Sequence, residues 1–164
     1  MTAWHTFSLM LHLIAFAVWI GGMVFFLVVL GPAVYELEPG TAIRTLNRGR
    51  SGLELISWIA IGVLIATGIA NLALRNPITA PPGNAYVILL AAKLFVFLAM
   101  TVHHFLQDFK YAPRIAAQTA DVLPDAGAWP EALLADWRRW FMLLKLNATL
   151  GPVAVLLGLA LVKS

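Results

Sequence analysis

The sequence predicts an all-α integral membrane protein, a four-transmembrane-helix bundle with short interfacial helices in its cytoplasmic loops. Three observations lead there. Of the 164 residues, 61% are hydrophobic and only 12% are charged, against about 45–50% and about 25% in soluble domains. The apolar residues fall in long blocks, not in the period-2 or period-3.6 stripes of half-solvated elements. Four of these blocks are long enough to cross about 30 Å of hydrocarbon, which takes about 20 helical residues. A single membrane domain therefore covers residues 1–164, with helices near 5–31, 53–75, 85–110 and 138–163.

The first apolar block, residues 7–30, stops at Gly31-Pro32. No basic region precedes it and no small-residue cleavage pattern follows, so it reads as a mature helix and not as a signal peptide. The second block, 55–74, is closed by Arg75-Asn76-Pro77, and the third, 85–106, follows the turn "PITAPPGN". Residues 75–84 are therefore expected to form a tight hairpin that makes helices two and three antiparallel neighbours. The fourth block, 140–162, contains Gly151-Pro152, and the proline removes an in-helix hydrogen bond and predicts a kink. Trp4, Tyr35, Trp58, Tyr86 and Trp140 fall near the expected interfaces. Residues 31–54 and 107–139 read as longer connections that carry most of the charge, the second with short interfacial helices. No internal repeat or low-complexity tract is evident.

Orientation follows from the basic residues. One long connection carries Arg44, Arg48 and Arg50, the other Lys110, Arg114, Arg138 and Arg139, against Arg75 and Lys163 on the opposite side. The positive-inside rule then places both long loops in the cytoplasm and both termini outside. The net charge of +3 comes without basic clusters interleaved with aromatics, which argues against nucleic acid as a partner. The absence of cysteine excludes disulfides, thiolate metal sites and iron–sulfur clusters.

Ionisable residues inside a membrane are costly and are functional candidates by default. At 1.5 Å per residue, His12 lies about 10 Å and Lys93 about 12 Å below the outer surface, so the two share a layer. His103 and His104 come out about 27 Å down, too far from His12 for one haem iron held by both. Met23 and, more loosely, Met142 are the candidates at the level of His103 and His104. Lys145 and Asn147 fall in the inner half, where Lys145 reads as structural, either paired with Glu54 at the inner end of helix two or satisfying carbonyls freed by Pro152.

Helical rotation adds facing. Lys93, Phe97, Met100, His104 and Gln107 form one stripe, with His103 pointing elsewhere. His5, His12, Trp19, Met23 and Phe26 share a face of the first helix. Beside them, Ser8, Ala15 and Gly22 make a small-residue strip that permits close helix approach, or a flat gap for a porphyrin. Imidazole and thioether suit copper, so His5, Met10 and His12 near the outer face are candidates for handing on a copper ion. His5 and His12 are about 10.5 Å apart along the helix and cannot chelate one ion alone.

Three stretches carry a family resemblance. "HLIAFAVWIGGMVFF", with His12 followed by Trp19-Ile20-Gly21-Gly22, resembles the first-helix signature of the CopD family of bacterial copper-resistance membrane domains. "RSGLELISWIAIGVLIATGIANL", with Thr67-Gly68 near its outer end, resembles the second helix of that family, and "KLFVFLAMTVHHFLQDFKYAPRI", opened by Lys93 and followed by Pro113-Arg114, resembles the third. The Lys93 and His103-His104 pattern is also similar to HemJ, a related four-helix family associated with protoporphyrinogen oxidation and b-type haem. At the inner end of helix one, where that family carries Arg and His, this chain reads "FFLVVLGPAVYELEPG".

The resemblance implies a membrane protein that handles a metal within the bilayer, either copper or haem b. His12 would be the first ligand. Lys93 would be a second ligand or a counter-charge for a haem propionate, and His103 and His104 would serve an inner site or an exit for protons or electrons. A haem-b oxidoreductase passing electrons to a quinone is the enzymatic alternative. A small accessory subunit of a larger membrane complex, or a homo-oligomer, is the third.

Overall fold

A computed structural model describes residues 3–74, 83–122 and 126–163. Helix α1 (Ala3–Phe25) passes through a wide π-helical turn, Phe26–Leu30, into the short α2 (Gly31–Val34). Helix α3 (Pro39–Leu74) follows, then α4 (Asn84–Leu106), a second π turn at Gln107–Tyr111, α5 (Ala112–Ala120) and α6 (Glu131–Lys163). Four helical stretches are long and apolar enough to cross a membrane: Ala3–Val34, Pro39–Leu74, Asn84–Ala120 and Glu131–Leu161. The all-α, four-span bundle expected from the sequence is the observed one, and it makes this a multi-pass membrane protein.

The two π turns have a common cause. Pro32 and Pro113 each stand just beyond one of them. A proline lacks an N–H and its ring clashes with the carbonyl four residues back, so the regular ladder cannot run through it. The chain widens instead, with Gly31 N–H donating to the Phe26 carbonyl and Ala112 N–H to the Gln107 carbonyl, and so stays helical into α2 and α5.

Side-chain meetings fix the up-down-up-down arrangement. Ser8 and His12 near the start of α1 meet Thr67 near the end of α3. Lys93 near the start of α4 lies against Gly158 near the end of α6, and His103 meets Asn147. Helix α1 packs mainly on α3 and α4 mainly on α6, giving two antiparallel hairpins. Trp19 touches Phe97 and His104, and Phe26 touches Trp140, joining the hairpins through an aromatic core.

Much of what reads as loop is helix. The second spanning helix starts at Pro39, not near residue 53, and the fourth at Glu131, not near 138. In both, a proline opens the helix or just precedes it, and apolar residues at helical spacing continue inward. Ala42, Ile43 and Leu46 are buried in the early part of α3, and Leu133 and Trp137 in that of α6. Charge on the outward face concealed this buried stripe. Helix α6 runs through Pro152 without a break. Residues 75–82 of the expected hairpin lie outside the described residues.

The small-residue strip resolves to close packing. Ser8 and Ala15 are buried, and a Cβ on Gly22 would come within 3.0 Å of Leu53 Cδ1 on α3. No flat gap for a porphyrin is left there. Gly21, its neighbour, would meet nothing within 4 Å.

The halves also repeat one another, a correction to the sequence reading. Phe26 and Gln107, which open the π turns, stand 81 positions apart. Adding 81 pairs buried Trp19 with buried Met100, Met23 with His104, Gly31 with Ala112 and Val34 with Ile115, and it pairs Pro32 with Pro113. For the returning helices the offset is 90, pairing Ile43 with Leu133, Arg50 with Trp140, Glu54 with Leu144, Ser57 with Asn147 and Leu64 with Ala154, all buried. Both hairpins run in the same direction, as parallel repeats about an axis along the bundle do.

Candidate functional site

His12 is half-buried on α1, facing α3. Its Nδ1 is 2.7 Å from Thr67 Oγ1. The Thr67 hydroxyl donates its own proton to the Val63 carbonyl at 2.6 Å, so Thr67 Oγ1 can only accept from the ring. The network therefore assigns the proton to Nδ1 and leaves Nε2 with its lone pair. The Leu64 carbonyl, 3.4 Å from the same hydroxyl, also faces the imidazole. Ser8 Oγ donates to the Thr67 carbonyl at 3.4 Å.

Lys93 completes this layer. Its Nζ lies 3.4 Å from where a Cβ of Gly158 would be, as His12 Cε1 lies 3.7 Å from that of Gly68. Under the two offsets His12 corresponds to Lys93 and Gly68 to Gly158. The two polar side chains are thus equivalents, each resting on the equivalent glycine of its own hairpin. Lys93 is within electrostatic reach of His12. The structure brings together the pair that depth alone placed in one layer.

A second layer lies toward the end of the bundle that carries α2 and α5. His103 Nδ1 is 3.0 Å from Asn147 Oδ1, while Asn147 Nδ2 donates to the Met100 carbonyl at 3.0 Å. The amide orientation makes Oδ1 the acceptor, so His103 too carries its proton on Nδ1. His104 points into the core, 2% exposed, its ring centroid 5.0 Å from Trp58 and 6.4 Å from Trp19. His104 Nε2, Ser57 Oγ, Gln107 Oε1 and Trp19 Nε1 are buried with no partner at hydrogen-bond geometry among the described residues. Buried polar atoms of this kind are satisfied in most proteins, which sets this layer apart from the apolar core around it.

Beside them, Arg50 Nη1 donates to both Glu54 oxygens at 2.6 and 2.7 Å, and its Nε and Nη2 to Asn47 Oδ1. Asp108 accepts from the Trp58 indole. Glu54 thus pairs with Arg50 on its own helix, and Lys145, expected as its partner, is exposed on the outside of α6. Met23 is fully buried in the core. Met10 and Met142 are exposed, 58% and 55%, and turn away from both layers, because each lies on the face of its helix opposite the packed stripe. His5, partly buried, sits two turns before His12 on α1.

Sequence reasoning has Thr67-Gly68 only as the Thr-Gly of the second-helix resemblance, with no role beside His12, and it misses Gly158. The role of Thr67 could have been found: it lies seven residues inside the end of α3, about 10 Å deep, at the level assigned to His12. Among the described residues no group of three or more His, Cys, Asp or Glu side chains comes together to hold a metal ion. No protein-family model matches the chain, and no curated protein or solved structure matches it.

Proposed function

We propose that the protein handles a metal within the bilayer, with His12 as its protein ligand and Lys93 as the facing charge. The observation that carries this reading is the hydrogen bond from His12 Nδ1 to a Thr67 hydroxyl that is itself anchored on Val63. Metal-ligating histidines have one ring nitrogen held in this way, which fixes the tautomer and orients the other nitrogen. Intramembrane placement adds weight, since an imidazole there is retained against its cost.

The donor set favours haem b over a bare copper ion, with the porphyrin on a face of α1 other than the closed Ser8, Ala15 and Gly22 strip. A copper ion needs several imidazole or thioether groups around it, and His12 has no second histidine or methionine assigned to its layer. A haem brings its own four nitrogens and asks the protein for axial ligands only. His12 would supply one, and Lys93 would serve as a second ligand or neutralise a propionate. Bound there, a haem supplies one-electron chemistry, and the inner polar layer around His104 suits proton exit from such a centre. The positive-inside count supports both termini outside, and the resemblance to bacterial membrane domains supports a bacterial inner membrane.

Absorption spectroscopy of the purified full chain tests this. The expected result is a Soret band that His12→Ala abolishes and Thr67→Val shifts or weakens. Copper retained without a Soret band would favour delivery of copper through the outer layer. A colourless, metal-free protein that co-purifies with larger subunits would leave only the accessory role.

A further inference from the structure

Two cations on the outward face of α6 have no place in either polar layer. Arg138 and Lys145 are both exposed, one above the other on the stripe Arg138, Met142, Lys145, Leu146 and Thr149, which lines a shallow open cavity of about 280 Å3. Neither forms an ion pair with another described residue. The nearest buried acid, Asp136, is committed to Arg114 at 3.3 Å, Gln118 at 2.9 Å and Arg139 at 3.9 Å. The fold does not require a lysine here: with the offset of 90, Lys145 corresponds to Leu55, which is 64% exposed on α3. The membrane-facing register position that holds an ordinary leucine in one hairpin holds an ammonium in the other.

Depth says what such an ammonium needs. Trp137 and Trp140 sit level with the start of the apolar run, and Lys145 is five residues beyond Trp140, about 8 Å deeper. Arg138 stands about 10.5 Å from Lys145 along the axis, and the lysine stem snorkels back toward it, so that both cations line the one cavity at the headgroup end of the stripe. Two cations at headgroup level above an exposed apolar stripe, Met142 and Leu146, complement a phosphate joined to an acyl chain.

We infer that Arg138 and Lys145 bind the phosphate of an anionic phospholipid, whose chain runs down α6 over Met142 and Leu146. Basic pockets on the cytoplasmic side of membrane proteins recognise anionic headgroups in this way.

The test counts bound lipid by native mass spectrometry while the purified full chain in neutral detergent is titrated with phosphatidylglycerol or phosphatidylcholine. Phosphatidylglycerol is expected to bind more tightly, by about fivefold for each cation. Arg138→Gln/Lys145→Gln should lose that preference while keeping its phosphatidylcholine binding and its unfolding temperature, and Lys145→Arg should retain it. Equal binding of the two lipids by the native chain, or a preference that survives in the double variant, overturns the inference. So does competition by glycerol phosphate as effective as by the lipid, since the apolar stripe then contributes nothing. A dimer that the double variant dissolves would also overturn it and make the face an interface between copies.

Discussion

The two hairpins share a backbone plan and differ in what they bury. Each runs through a π turn to a proline, returns on a long helix with a proline at or just before its start, and seats one polar side chain of the His12–Lys93 layer on a glycine. In the first hairpin, α1 with α3, the inner half holds the ion pair Arg50–Glu54. The second hairpin, α4 with α6, has Trp140 and Leu144 at the equivalent positions, both 1% exposed. The fold therefore accepts an apolar pair where it also accepts a charged one. What the plan enforces is burial, and the charge is an addition to it.

That comparison predicts the largest mutational effect. Glu54→Leu alone leaves Arg50 buried with only Asn47 as acceptor, and breaking a buried pair in this way costs about 3–5 kcal/mol. Arg50→Met/Glu54→Leu, which imitates the apolar pair of the other hairpin, should be close to neutral, since well-packed apolar residues replace buried ion pairs at little cost. Unfolding temperatures in detergent read both. If the double variant is as damaged as the single one, the pair is doing more than filling its position, and a role for its charge in the inner polar layer follows.

A smaller effect separates Asn147 from its equivalent, Ser57. Asn147 joins His103 Nδ1 to the Met100 carbonyl, so Asn147→Leu leaves the His103 donor without this partner, takes a second bond from a helical carbonyl, and should cost about 1–2 kcal/mol. Ser57 Oγ has no protein partner among the described residues, and Ser57→Ala should stay within about 0.5 kcal/mol. A Ser57→Ala loss as large as that of Asn147→Leu would show that the hydroxyl holds an ordered water beside His104.

The sequence made the bundle, the four spans and the shared layer of His12 and Lys93 legible, because block length and helical rise depend on composition and spacing alone. It hid the repeat. The hairpins preserve burial but not chemistry, so Met23 stands where His104 does, and Arg50 where Trp140 does. It also hid the beginnings of α3 and α6, where arginines on the outside mask an apolar stripe inside. The partners of His12 were half legible: Thr67 was within reach of a depth argument, whereas Gly68 and Gly158 act by what they lack. Depth alone gives Lys145 a level but no facing, and the structure places it on the exposed face of α6, where the proposed lipid meets it.

The smallest effect is the sharpest test of the register between the halves. With the offset of 81, Gly22 stands where the second hairpin has His103, and Gly21 where it has Val102, 48% exposed. Equivalent positions thus predict an inward-facing Gly22 and an outward-facing Gly21. Gly22→Ala places a methyl 3.0 Å from the tip of Leu53, which must give way, and should cost up to about 1 kcal/mol. Gly21→Ala meets nothing within 4 Å and should be neutral or stabilising by a few tenths up to about 1 kcal/mol, from helix propensity. The two alanines differ by one position, so thermal unfolding of both variants in the same detergent isolates facing from composition. Equal shifts would mean that α1 is rotated relative to α3, and the equivalence of His12 with Lys93 would fall with it.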